Sequence, residues 1–142
     1  MRLLKPNPGE CCDRQTILEL KMAAGEGKKI NTSHFVAEHG EIQSYLERDW
    51  FRLADEKIQE AFDELLSQLR AVNARLWQLE DAMRAAKRDW DRNSINLQHN
   101  LEQLNKVREV AFAIAEQNDI RASLVAKINA LFGIDFQEKM YS

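Results

Sequence analysis

Polar side chains interrupt the apolar seams of this 142-residue chain at several points. Buried polar groups must be paired, and a buried Asn or ion pair can fix the register and oligomeric state of a helical bundle. The alternative is a small pocket between helices in which Arg14, Arg84 or Arg121 recognises an anionic group. The candidate binding residues are Asp13, Arg14, Asn73, Glu80, Asp81, Arg84, Asn118, Asp119 and Arg121.

Four carboxylates form a second candidate site. Glu38 and Glu41 make an E-x-x-E motif, and Glu60 and Asp63 make an E-x-x-D motif. The i, i+3 spacing puts both acids of each motif on one helical face. If the chain reverses near residues 50 and 51, the two pairs meet, and four carboxylates can hold Mg²⁺ and a nucleoside triphosphate. The same acids also fit a solvated acidic face, and no residue is assigned as catalytic.

The thiols and imidazoles suggest less chemistry. Cys11 and Cys12 fall in the first turn of a predicted helix, whose dipole would lower a thiol pKa, but no His is near them in the sequence. We therefore expect buried structural thiols rather than a redox pair. His34, His39 and His99 have no i, i+4 partner, so no metal site is predicted from them.

Two long helices must position these residues. All five Gly and both Pro lie outside residues 41–132, which excludes the frequent turns of a β-fold. A first helix is predicted over 55–91 from a regular alternation of four- and three-residue spacings. Its apolar stripe is Ile58, Phe62, Leu65, Leu69, Val72, Leu76, Leu79, Met83, Ala86 and Trp90.

A second long helix is predicted over 94–132, with Asn93 or Ser94 as N-cap and Gly133 just past its end. The two helices should form an antiparallel hairpin. A turn near residues 92 and 93 places Asn118 opposite Ser67 and Arg121 opposite Glu64. The predicted stripe of the second helix is Leu97, Leu101, Leu104, Val107, Ala111 and Ile114, followed by Ala122, Val125, Ile128 and Phe132.

Shorter helices are predicted over 8–24 and 33–48, before the two long helices. A C-terminal tail over 133–142 follows the second long helix. Asn7, Pro8 and Glu10 have the form of an N-cap, a first helical proline and a capping-box acid. Residues 25–27 form the intervening turn. The expectation is one all-α domain over 1–142, an elongated helical bundle. Because the hairpin is longer than two short helices can cover, we also expect a homodimer or a protein partner.

Composition and charge exclude several classes of function. Lys and Arg total 20 against 23 Asp and Glu, a net charge of −3 that gives no support for nucleic-acid binding. No segment reads as a membrane span or a secretory signal, so a cytoplasmic location is expected.

Several segments together resemble the uncharacterised bacterial family DUF6165. They are Gly9-Glu10, residues 13–21, residues 73–84, residues 118–122, Ile128-Asn129 and residues 138–141, in the same order along nearly the whole chain. The resemblance implies a small cytoplasmic helical protein without assigned activity, some members being encoded near genes for surface-polysaccharide or glycan assembly. All nine candidate binding residues fall on its motif positions, together with Glu138, Lys139 and Tyr141.

The four carboxylates, with Gly40 before the second Glu, more weakly resemble the all-α MazG-like nucleoside triphosphate pyrophosphohydrolases. We therefore expect a binding or scaffolding module rather than an enzyme, with no cofactor. In that hypothesis the partner is contacted by the tail from Phe136 to Tyr141 and by the candidate binding residues that interrupt the apolar stripes, which we call the polar seam. The alternative is a Mg²⁺-dependent pyrophosphohydrolase.

Overall fold

The computed structural model describes residues 6–92 and 97–134, and its architecture is all-α. Helix α1 spans Pro8–Gly27, α2 spans Ser33–Asp49, α3 spans Glu56–Arg92 and α4 spans Leu97–Leu131. A single 3₁₀ turn, Phe51–Leu53, joins α2 to α3. No strand occurs in the described ranges, which confirms the predicted fold class. None of the described helices is long and apolar enough to cross a bilayer.

The start of α1 has the predicted cap and also docks on α4. The Asn7 side chain accepts a hydrogen bond from the Glu10 amide at 2.8 Å, and Pro8 opens the helix. The Gly9 amide donates to Asn129 Oδ1 at 2.7 Å. A Cβ on Gly9 would collide with the Val125 carbonyl oxygen and lie 2.9 Å from Asn129 Oδ1. Glycine is therefore what lets the two backbones approach so closely.

The turn after α1 lies later than predicted. The helix continues through residues 25–27, and the reversal is made by Lys29, which has a φ of 56°. Gly25 is buried inside α1, where a Cβ would collide with the Thr32 methyl group. This glycine serves close packing against the following turn rather than the turn itself.

The hairpin of α3 and α4 forms the body of the bundle, and the predicted stripe of α3 is confirmed. Each residue of that stripe is buried or half-buried, from Ile58 to Trp90. Leu69, Val72 and Leu76 contribute to a core cluster that also includes Leu124 and Ile128 of α4. Cys11, Cys12 and Leu46 join this cluster from α1 and α2.

The predicted stripe of α4 is wrong in part. Leu101, Leu104, Ala111 and Ala122 are exposed, whereas Gln103 is buried. The helix carries two apolar seams about a quarter turn apart, and the face toward α3 is the one that includes Val107, Val110, Ile114, Leu124 and Ile128. Asn118 does not interrupt α4, which is one continuous helix.

The register of the hairpin also differs from the prediction. Gln103 Nε2 donates to Asp89 Oδ2, whereas the predicted turn would have placed Asp89 opposite residue 96. The shift is about two helical turns. The predicted caps Asn93 and Ser94 lie outside the described residues. At the other end, Gly133 has a φ of 80°, as expected for the residue that follows a helix.

Helices α1 and α2 cover only one end of the hairpin. Contacts of α1 fall on Arg70 and Asn73 of α3 and on Arg121 and Asn129 of α4. The opposite end consists of residues 82–92 of α3 and 97–115 of α4, which we call the distal hairpin. Among the described residues, only these two helices line its grooves. An apolar surface on the distal hairpin therefore has no cover from α1 or α2.

The close approach at Gly9 gives a testable prediction. Gly9→Ala should destabilise the protein by about 1–3 kcal/mol, since the added methyl collides with the backbone carbonyl oxygen of Val125 and also crowds the Val125 and Asn129 side chains. Gly40→Ala is the matched control. Nothing lies within 4 Å of its added Cβ inside α2, so the change should stabilise by about 0.5–1 kcal/mol. Urea unfolding measures both, and a neutral Gly9→Ala would contradict the packing of α1 on α4.

Candidate functional site

The Asp13 carboxylate joins three helices. Its Oδ1 accepts from Asn73 Nδ2 of α3 at 2.9 Å, and its Oδ2 accepts from Arg121 Nη2 of α4 at 2.9 Å and from Nε at 3.1 Å. Asn73 Nδ2 also lies 2.6 Å from Thr16 Oγ1, and the Thr16 hydroxyl donates to the Asp13 carbonyl at 2.8 Å. We call these four residues the Asp13 network.

The Asp13 network is mostly shielded from water. The Asp13 side chain is 14% exposed and that of Arg121 is 36% exposed, while Asn73 and Thr16 are buried. A carboxylate at such a site is stable only if it is paired and hydrogen-bonded, and each of its oxygens has a donor. The network thus has the features of a structural polar seam.

A cleft of about 170 Å³ lies beside this network, between α1 and the hairpin. Ile17, Leu20, Leu76 and Trp77 form its apolar walls. Five of the nine predicted binding residues line it: Asn73, Glu80, Arg84, Asn118 and Arg121. The cleft is smaller than the roughly 300–1,000 Å³ of typical ligand pockets, and we call it the polar cleft.

Both guanidinium groups of the polar cleft already have carboxylate partners. Arg121 binds Asp13, and Arg84 pairs with Asp81 and lies 4.0 Å from Glu80. Only the Arg121–Asp13 pair joins two helices, because Asp81 and Glu80 lie on α3 together with Arg84. At Arg121 the arrangement therefore favours helix pairing over recognition of an anion.

Two predicted residues lie elsewhere. Arg14 donates to Glu38 of α2 through Nε and Nη2, and this hydrogen bond lowers the pKa of the Glu38 carboxyl below its usual value. Asp119 is exposed and does not line the cleft. The predicted contacts Asn118–Ser67 and Arg121–Glu64 are wrong, because α4 is shifted by about two turns along α3. Arg121 instead binds Asp13 of α1.

The four predicted metal ligands are not assembled. Helix α2 packs on α1, so Glu38 faces Arg14 rather than α3. In residues 6–92 and 97–134, which include Glu41, Glu60 and Asp63, no three His, Cys, Asp or Glu side chains could hold a metal ion together. Glu41 and Glu60 are exposed.

The cysteines are buried, unbridged thiols. Cys11 is 3% exposed and Cys12 is fully buried. Burial, reinforced by the charge of Glu10, raises the pKa of the Cys11 thiol to about 11. Burial also raises the pKa of Cys12 to about 12. Both thiols therefore stay protonated at neutral pH. Their place in the core cluster confirms that they are buried.

A second ionic cluster was missed by the sequence analysis. Glu19 of α1 accepts from Arg70 Nε at 3.0 Å and from Nη2 at 3.3 Å, and His39 Nε2 of α2 lies 3.1 Å from Glu19 Oε2. Since a carboxylate only accepts, this ring nitrogen carries the proton. Burial acts to raise the pKa of Glu19, but the hydrogen bonds from Arg70 and His39 together lower it.

The sequence contains only a faint signal of this cluster. Gln15 and Glu19 on α1, and His39 and Gln43 on α2, are polar pairs at i, i+4 spacing. Gln15 Nε2 donates to Gln43 Oε1 at 3.0 Å. Such pairs predict polar faces, but not that the two faces meet.

The fold and the polar seam together define a small all-α bundle built on a helical hairpin. Comparison of the chain with family models, with curated proteins and with solved structures found no match.

The Asp13 network predicts an unequal effect of two arginine truncations. Arg121→Ala should cost about 2–3 kcal/mol of unfolding free energy, because it leaves a shielded carboxylate without its cation. Arg84→Ala removes an exposed pair and should change stability by at most about 0.5 kcal/mol. Chemical denaturation of both variants decides this. Equally small effects would mean that the network is not structural and that the Arg121 guanidinium is available to a ligand.

Proposed function

We propose that this chain is a binding or scaffolding module that assembles through its distal hairpin, with a second copy of itself as the first partner. The observation that carries the proposal is an open apolar groove of about 350 Å³. It is lined by Met83, Ala86, Trp90, Leu104 and Val107, with the stems of Arg84 and Lys87 at its edge.

The groove continues the path that α1 occupies at the other end of the hairpin. Arg84 lines both the polar cleft, which α1 walls with Ile17 and Leu20, and the distal groove. Beyond α1, no third helix from residues 6–92 or 97–134 lies on the same side of the hairpin. A helix supplied from outside would complete the packing there as α1 does at the opposite end.

The outward seam of α4 is a suitable helix for that position. Leu101 is 50% exposed and Leu104 is 53% exposed, and Arg108, Ala111 and Ala115 continue the alternation of three- and four-residue spacings. If each copy places this seam in the groove of the other, both apolar surfaces are covered by one two-fold contact. The result is a four-helix arrangement of two hairpins.

Charge does not decide for or against this partner. Arg84 and Lys87 line the groove, and the exposed charges of α4 within the distal hairpin balance, with Glu102 and Glu109 against Lys106 and Arg108. The proposed contact therefore depends on burial of the apolar groove and of the outward seam.

Self-association can be tested by analytical ultracentrifugation. The unmodified chain should sediment as a dimer, and Leu104→Glu should sediment as a monomer with unchanged helical content. Leu53→Glu is the matched control, since Leu53 is 75% exposed in the 3₁₀ turn and away from the distal hairpin. A monomeric unmodified chain at the highest attainable concentration would refute the proposal, as would dissociation by both variants alike.

A role in surface-polysaccharide or glycan assembly rests on the resemblance to DUF6165 alone. Crosslinking in cells, followed by mass spectrometry, tests it separately. Recovery of enzymes of glycan assembly would support the role. Recovery of the second copy alone would remove the role and leave self-association standing.

The MazG-like alternative has no supporting contact among the described residues. A pyrophosphohydrolase of that type requires its carboxylates to converge on Mg²⁺. Here Glu38 is engaged by Arg14, and we do not propose that activity.

A further inference from the structure

A cavity beside the bundle core combines an aromatic end with a charged wall. It measures about 410 Å³, within the usual range for small-molecule sites. Its apolar end is formed by Phe51 of the 3₁₀ turn, Phe62 and Leu66 of α3, and Phe132 after α4. Phe51 and Phe62 have ring centroids 4.9 Å apart, and Phe132 lies 6.0 Å from both. We call this space the aromatic cavity.

The wall opposite the rings carries ionic groups from three helices. Glu19, His39, Asp63 and Arg70 all line the cavity. The hydrogen bond to Glu19 raises the pKa of Arg70, and the charge of Asp63 contributes more weakly. Arg70 is thus committed mainly to Glu19.

Asp63 is the uncommitted group. It accepts no hydrogen bond from any residue in the described ranges, whereas Glu19 accepts from both Arg70 and His39. Asp63 lines the same cavity as Phe51, Phe62 and Phe132. A carboxylate and aromatic rings in one cavity both attract a cation, the first by its charge and the second by the ring faces.

We propose that the aromatic cavity binds a small organic ammonium ion, with the apolar body packed against the cluster of Phe51, Phe62 and Phe132 and the ammonium group at Asp63. A ligand carboxylate would instead have to break the ion pair between Arg70 and Glu19. That would leave the partly buried Glu19 carboxylate without its cation. The proposal concerns the opposite end of the molecule from the distal hairpin, so it stands or fails independently of self-association.

Three probes with one shared apolar body test the charge preference. They are 2-phenylethylamine, 2-phenylethanol and 3-phenylpropionate, titrated into the ¹⁵N-labelled full chain and followed by NMR. The amine should bind most tightly, and its shifts should concentrate on residues 51–70. Asp63→Asn should weaken amine binding by about tenfold, equivalent to about 1.4 kcal/mol, and leave alcohol binding unchanged.

The control is Glu64→Gln, which removes a neighbouring exposed charge that does not line the cavity. It should leave the affinity for the amine within about twofold of the unmodified value, a change of about 0.4 kcal/mol or less. The proposal is overturned if no probe binds, if the carboxylate binds best, or if both variants weaken the amine equally. Because Asp63 is exposed, its substitution should not unfold the protein, and the NMR spectrum reports this directly.

Discussion

The pairing of the part-buried Asp13 carboxylate is the constraint on which the rest of the structure depends. A carboxylate that is 14% exposed has lost most of its hydration, and donors from the protein must replace it. Those donors come from Asn73 on α3 and Arg121 on α4, two helices that are distant in sequence from α1. The pairing therefore fixes where α1 lies and which turns of the hairpin it meets.

The position of α1 determines what remains uncovered. The helix runs from Asn129, where Gly9 permits a close backbone approach, toward Trp77, where the polar cleft begins. Helix α2 returns along α1 and is held to it by Arg14–Glu38 and Gln15–Gln43. Nothing in α1 or α2 is left to cover the distal hairpin, and its apolar groove follows from that arrangement.

The polar residues consequently have two different roles. Asp13, Asn73 and Arg121 satisfy one another and specify the packing of three helices. Asp63, in contrast, lines a cavity without a hydrogen-bond donor among the described residues. The first three residues contribute to stability and helix register, whereas Asp63 is the residue that we propose to bind a ligand.

Periodicity made the helices, the α3 stripe and the Asn7 cap predictable from the sequence, because each depends on residues only a few positions apart. Seven of the nine candidate polar residues do gather, five around one cleft with Asp13 and Asp81 bonded to its arginines.

The sequence could not choose between the two apolar seams of α4, because each has the same heptad spacing and only contact with α3 distinguishes them. Nor could it place Arg121 on Asp13 or Arg70 on Glu19. These pairs connect α1 to α4 and to α3 over 108 and 51 residues of sequence. Across the hairpin itself, a register shift of two turns changes which residues of α3 and α4 face each other. Local spacing thus determined which segments are helices. How the helices pack was decided by the desolvation of a few charges, because that desolvation exists only once the helices are in contact.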